Sequence, residues 1–444
     1  MADMNLYDAA VQISELLETN RAVFLKTEPE VPDHTENAPF KIIICGNEQR
    51  VEFEVESKDV MPLVAQFDAT LFNKECVDRL YVYNFKSFAT YFHAQCPHKF
   101  VLPSPQQVFI DLKVVENFLG IRGKKSPENL VEAVNRTKHA VEHKTWQLVY
   151  KAVHLPLSLK VLPVIETTAL LNEDAKRSEY PYYEIEGQIN GRMNCLKKFA
   201  KSYLPHNMGP DVKRALKPKG YGNRFLYADF RHCEVTVLQW LSGDPQLKEI
   251  LDSGDDLHRR IYEILTNDKC DTDTKRNMSK LIFLPVMYGC GASRLGELIG
   301  VPETVAKELI NRIKMAFPVA WRWMMDVQEA AKKGPVLDRL GRPRTFEENK
   351  SYLARDFVVQ GVAATVCQEK LIELQFALNS ERAYIAFTVH DGFGLVCKIE
   401  AARETYLKVK EILEGESRLC PGLRMKVEVK FGAKLDKMKV LWKD

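Results

Sequence analysis

A chain of 444 residues has room for two or three domains, each with its own core. Its 45% hydrophobic and 28% charged residues are ordinary for a globular protein, and a net charge of +3 does not by itself announce nucleic acid, so any basic groove must come from how charge is distributed. Ten cysteines without a CxxC pair leave Cys96-Pro97-His98 as the nearest approach to a zinc motif, and reduced thiols in a cytosol-like compartment are expected.

Residues 1–38 combine a short amphipathic helical pattern, Leu6 to Leu17, with an acidic stretch containing proline, and read as an arm or linker. The start is acidic and lacks a signal-peptide core, and no apolar run reaches the length of a membrane span. Between 39 and 150 four strand-like runs follow: Lys41 to Cys45, Val51 to Val55, Arg79 to Tyr83 and Val108 to Ile110. Alternation and β-branched or aromatic content carry that reading and predict a small α/β domain with helices between the strands. From Pro127 to Leu171 the pattern is helical, and Asn172 to Tyr180 is a charged connection.

The second half begins with an apolar strand, Phe225 to Ala228, which ends at Asp229 and leads into a helical run through Leu241. Helices dominate from Asp256 to Lys333, with an apolar stretch from Met278 to Tyr288. After the Gly341-Arg342-Pro343-Arg344 turn, a long helix is predicted from about Arg355 to Asn379. Tyr384 to Val389 and Phe393 to Cys397 read as a hairpin turning around His390-Asp391-Gly392, with Met425 to Val429 as a last strand.

Two acids, Asp229 and Asp391, thus close apolar strands far apart in sequence. Nucleotidyl transfer by paired divalent ions about 4 Å apart needs such carboxylates, and hard ions such as Mg²⁺ take oxygen ligands. A single strand-end aspartate is more often a solvated turn residue; the residues around these two decide against that. Arg276 and Lys280 stand four apart on one helical face, with Tyr288 eight further on. Two cations and an aromatic in a row can clamp a triphosphate and stack beneath a base.

With these residues in view, the chain from about 185 to 444 resembles the family A (polymerase I-like) DNA polymerases. Asp229-Phe230-Arg231-His232-Cys233-Glu234 resembles their first palm motif, Arg276, Lys280 and Tyr288-Gly289 their fingers helix, and Val389-His390-Asp391 their second palm motif. Gly191-Arg192-Met193-Asn194, Asp256-Leu257-His258, Gly341-Arg342-Pro343-Arg344 and Gln360-Gly361-Val362-Ala363-Ala364 match further elements in the right order. The fold implied is α+β: a right-hand polymerase with an antiparallel palm sheet and helical fingers at about 245–340, within a polymerase region spanning 192–444. Asp229, Asp391 and the Phe230 carbonyl would then hold two Mg²⁺ ions, with Mn²⁺ as a substitute. Arg276, Lys280 and His258 would hold the dNTP triphosphate, Tyr288 would close over the nascent pair, and Glu234 would exclude a 2′-hydroxyl. Leu284 occupies the place of the usual fingers aromatic. Arg192, Gln360 and His390 would touch the primer terminus of a primer–template DNA. A cytoplasmic enzyme, of a bacterium or of a phage- or virus-infected cell, is implied.

The sequence departs from that family at several points. Gly392 stands where an acid usually follows the His-Asp pair, and His390-Asp391-Gly392-Phe393-Gly394 is closer to the phage-type single-subunit RNA polymerases. Residues 39–150 resemble a shortened, RNase H-like 3′–5′ exonuclease domain in which Ala89 replaces a motif aspartate and Glu52 and Glu54 sit in a plain alternating strand. Between 151 and 191 little room is left for a thumb, so synthesis in short runs, unless an accessory processivity protein docks, is expected. An RNA-polymerase-like or reverse-transcribing enzyme of the same palm, and a catalytically dead nucleic-acid-binding relic, remain alternatives.

Overall fold

The computed structural model describes residues 6–30, 32–33, 39–56, 60–95, 97, 107–121, 124–141 and 149–442. Cys96 and His98 lie outside them. The chain forms two compact units, one of residues 1–229, 367–412 and 429–444, the other of 230–366 and 413–428.

The first unit opens with α1 (Leu6–Thr19), the expected amphipathic helix, and then β1 (Ala22–Glu28). With β2 (Phe40–Cys45), β3 (Arg50–Val55), β4 (Arg79–Val82) and β5 (Val108–Asp111), β1 makes a five-stranded sheet in the order β3-β2-β1-β4-β5. β1 pairs antiparallel with β2 and parallel with β4, and β4 pairs parallel with β5. The arm expected over 1–38 is therefore corrected, because Ala22–Glu28 within it form the middle strand of this sheet. Val23, Phe24 and Leu25 are all buried, since a strand covered on both faces shows no alternation for a sequence reading to find. Helices α2 (Val60–Ala69), α3 (Phe85–Gln95), α4 (Leu112–Phe118) and α5 (Leu130–Val141) accompany the sheet. Phe67, Phe72, Phe85, Phe88 and Phe92 pack edge-on or tilted in one aromatic cluster of its core.

Residues 149–167 continue as one helical segment with two wide turns, Tyr150–His154 and Leu157–Val161, before α6 (Leu162–Thr167). Pro156, which has no amide hydrogen to give, sits between them; wide turns are one way a helix absorbs such a missing donor. The only helices described between 168 and 222 are the single turn Pro205–Asn207 and the short Pro210–Ala215.

A four-stranded sheet, lying mostly in this unit, has the order β7-β8-β6-β9, built from β6 (Asn223–Arg231), β7 (Ala383–Val389), β8 (Gly392–Lys398) and β9 (Lys426–Gly432). β6 and β7 each run antiparallel to β8, as the expected hairpin and palm sheet require. A buried polar chain ties the first sheet's α3 to this hairpin. Lys86 pairs with Glu166 at 2.7 Å, and Glu166 also accepts from Thr90 and from the Tyr183 amide. The Tyr183 hydroxyl donates to the Thr388 carbonyl and accepts from its amide, and the Thr388 hydroxyl donates to the Gly392 carbonyl. Lys86 and Glu166 are almost wholly buried, so each group needs its partner and the geometry has little freedom.

The second unit is mainly helical: α7 (Cys233–Ser242), α8 (Pro245–Asp252), α9 (Leu257–Thr266), α10 (Asp273–Met287), α11 (Ala292–Ile299), α12 (Glu303–Ala316), α13 (Pro318–Lys333) and the first part of α14 (Leu353–Ala377). Aspartates begin two of them. Asp244 accepts from the amides of Gln246 and Leu247, and Asp256 from those of His258 and Arg259, satisfying donors that a helix start leaves open. Helix α15 (Ala402–Leu413) completes the order before β9.

Candidate active site

The acids of the sequence reading meet through strand register. Asp229 lies opposite Gly392 in the β6–β8 pairing, and Asp391 immediately precedes Gly392. Val389 and Gly392 pair across the hairpin, so His390 and Asp391 form a two-residue turn. His390 takes the positive φ, 51°, that tight hairpin turns demand at one or both central positions. Asp391 is thereby held at a strand tip, beside the end of the strand that carries Asp229.

Tyr227 joins them. It lies two residues before Asp229, on the same face of β6, and is hydrogen-bonded to the Asp229 carboxylate. Burial, and then the charges of Asp229 and Asp391, push its phenol well above the ordinary range, so it keeps its proton. A Cβ on Gly392 would stand 2.1 Å from the Tyr227 hydroxyl and 2.9 Å from Asp229 Oδ1. A Cβ on Gly394 would stand 2.3 Å from the Phe387 ring, which stacks on Tyr227 at 6.3 Å. Both glycines of the His390-to-Gly394 string thus make room for these two rings.

Arg192, His206 and His390 gather in the same unit. The His206 and His390 rings lie 4.4 Å apart, and burial, then His390 and Arg192, lower His206 to about 4. A cavity of about 380 Å³ opens alongside, lined among others by His206, Lys213, Tyr227, Phe387 and Lys430.

The second unit holds the remaining expected residues. β6 passes through Phe230, and His232 turns the chain at φ 54° into α7, which puts Glu234 in the helix's first turn. Tyr288, closing α10, donates to Glu234 Oε2 at 2.6 Å, and Gln360 donates to Glu234 Oε1 at 3.3 Å. Two side chains, from the end of α10 and from α14, so converge on the carboxylate that α7 carries. Asp256 uses one oxygen to cap α9 and the other to hold Arg276 at 2.8 Å. His258 meets the His232 ring edge-on at 5.1 Å, and its buried Nδ1 has no hydrogen-bond partner. Lys280 is exposed, whereas Ile282, Phe283, Val286 and Met287 of the same helix are buried. Leu284 is half-buried.

Burial, then His232, Lys280 and Arg276, lower His258 to about 3, with Asp256 acting the other way. The fold keeps this imidazole neutral where the unfolded chain, near 6.5, takes a proton. Stability from His258 is therefore complete above about pH 6.5 and is lost as pH falls toward 3. Urea midpoints measured from about pH 8 to 5 should decline, and His258→Gln should flatten that decline; an unchanged slope would remove His258 as its source.

The strand-end donors Asp229 and Asp391 are oxygen donors, which suit magnesium or manganese better than zinc. Among the described residues no group of three or more His, Cys, Asp and Glu forms a metal cage. Two carboxylates, with a backbone carbonyl, substrate oxygens and water, fit an ion that keeps part of its hydration. Tyr227 and His206 had no place in the sequence reading. The spacing of two on one strand could have pointed to Tyr227, but nothing in Leu204-Pro205-His206-Asn207 marks His206.

The family model of DNA polymerase family A matches residues 89–437. A thermostable DNA polymerase I of Thermus filiformis is 29% identical over 235 residues, covering 50% of this chain and 28% of that protein. DNA polymerase I of Deinococcus radiodurans is 23% identical over 251 residues, 53% of this chain and 26% of that one. The chain thus spans between a quarter and a third of the length of these two relatives. The fold matches the POL domain of Pol1 from M. smegmatis, solved with DNA primer-template and dNTP, at a TM-score of 0.72 and 14% identity, over 98% of this chain and 99% of that one.

Proposed function

The chain belongs to DNA polymerase family A, and we propose that it is a template-directed DNA polymerase adding dNTPs to a primer 3′ end. The observation that carries this is the register placing Asp229 opposite Gly392, beside Asp391. Asp229, Asp391 and the Phe230 carbonyl would hold two Mg²⁺ or Mn²⁺ ions, which when bound lower the cost of ionising the primer hydroxyl and neutralise the leaving phosphates. Arg276, Lys280 and His258 bind the triphosphate. Lys280 is exposed and ready to meet it, and Asp256 steadies Arg276. Tyr288, with Leu284 one turn earlier, covers the nascent pair. Glu234, oriented by Tyr288 and Gln360, fills the space of a 2′-hydroxyl. Arg192, His390 and Gln360 contact the primer terminus, and Lys213 and Lys430 face a cavity suited to its phosphates.

Residues 39–150, with β1, act in this reading as an RNase H-like scaffold without nuclease activity. The strand order β3-β2-β1-β4-β5 supports the first part. The second rests on the acids: Glu52 is engaged by Lys41 and Arg50, Glu54 is exposed, and Asp111 accepts from the amides of Asn84, Phe85 and Lys113. The thumb is reduced in this reading to the connector over 151–191, and an accessory processivity protein would compensate for the lost phosphate contacts. No helix among the described residues is long and apolar enough to cross a membrane.

Primer extension with separate dNTP and rNTP pools on DNA and RNA templates tests the reading. Extension with dNTPs on DNA, and no shortening of the primer when nucleotide is withheld, are expected. Glu234→Ala should raise rNTP use relative to dNTP by on the order of tenfold, because a blocking side chain is removed. An unchanged ratio would return the assignment to an RNA-polymerase-like enzyme.

A further inference from the structure

The space beside Asp229 is filled from an unexpected direction. On β8, the position opposite Asp229 is a glycine, and the room a side chain would take there belongs to the Tyr227 hydroxyl. That hydroxyl and Asp229 Oδ1 approach one point, 2.1 and 2.9 Å from it. The ring behind the hydroxyl is fixed by stacking on Phe387, whose own place is opened by Gly394. Two glycines and two aromatic rings are therefore arranged so that a phenol reaches the carboxylate pair.

We propose that Tyr227 is a positioning residue of the metal site, donating to Asp229 and fixing the direction in which that carboxylate presents its remaining lone pairs. A protonated phenol is a neutral donor, so it orients one carboxylate without adding a third negative charge beside the other. The two aspartates then supply the whole side-chain charge of the cation site. Gly392 is the steric condition for this arrangement, since any side chain at that position would displace the phenol. The inference rests on the two-metal reading of Asp229 and Asp391.

The test is Mn²⁺ binding by electron paramagnetic resonance to the full chain on a dideoxy-terminated primer–template. The wild type should bind Mn²⁺, and Asp229→Ala and Asp391→Ala should lose it. Tyr227→Phe keeps the stacked ring and removes only the hydroxyl; it should weaken Mn²⁺ binding by about tenfold or more, as loss of a ligand's outer hydrogen-bond partner does. Its melting temperature and primer–template affinity should not change, and the Mg²⁺ needed for half-maximal extension should rise while KM for dNTP stays constant. Gly392→Ala should also weaken binding, and adding Tyr227→Ala should restore the hairpin's stability without restoring affinity. If Tyr227→Phe binds Mn²⁺ as the wild type does, the inference falls and the polymerase reading stands. If the wild type and the aspartate variants bind alike, the metal reading falls and takes the inference with it.

Discussion

Asp229→Ala or Asp391→Ala is expected to reduce Mg²⁺-dependent primer extension by about a thousandfold or more. Attack by a primer hydroxyl and departure of pyrophosphate both build up negative charge, and a divalent ion contributes several kcal/mol to stabilising it, each 1.36 kcal/mol being about tenfold in rate. The register of β6 against β8 brings these two acids to neighbouring strand ends. Binding of primer–template should stay within about a factor of two or three of wild type, because it rests on contacts to phosphates. The pair of measurements matters. Lost extension with retained duplex affinity marks a metal ligand, lost affinity marks a folding defect, and substantial residual extension would exclude the residue from the centre.

The second large effect concerns stability. Arg342 and Asp338 are both fully buried and form an ion pair. Arg342 also donates to the Thr365 hydroxyl at 3.3 Å, and Asp338 accepts from the amides of Leu340 and Arg342 at 2.9 Å each. Asp338→Ala would remove a charged partner from a fully buried guanidinium and leave two amides without their acceptor. Breaking a buried pair by removing one partner costs about 3–5 kcal/mol. Urea unfolding of Asp338→Ala should show a loss of that order, and a loss below about 1 kcal/mol would mean that water or another side chain replaces the carboxylate. The same pair explains why Gln360 of α14 is followed by a glycine, since a Cβ on Gly361 would stand 2.5 Å from Asp338 Oδ2. The Gly341-Arg342-Pro343-Arg344 turn thus anchors the helix that carries Gln360, and Arg342 serves the fold from inside it.

Elements with a one-sided face were legible in the sequence. The amphipathic α1 announces itself because burial on one face imposes a period of about three and a half. The β7–β8 hairpin and the long helix at Leu353–Ala377, buried almost throughout, are legible instead from the length of their apolar runs and the turn residues that bound them. β1 was not, because its continuously buried run is only Val23 to Leu25, too short to stand out and without alternation. Of the proposed site residues, Asp229 and Asp391 were named from their strand ends and Arg276 and Lys280 from their helical spacing, whereas Glu234 and His258 came only from the resemblance to the family.

By itself, then, the sequence determined which local segments form and which charged residues end them: an acid after an apolar strand, two cations a helical turn apart, a His-Asp pair at a tight turn. Tertiary structure alone decided which of these meet. The register that sets Asp229 opposite Gly392 joins positions 163 apart, the Tyr183 clamp on Thr388 joins positions 205 apart, and the tilted contact of His206 with His390 joins a short helical turn to a hairpin. The reason is physical. Local pattern reports only which face of an element is buried, whereas the partner of that face is chosen by packing, and packing fixed that Tyr227 fills the space Gly392 leaves.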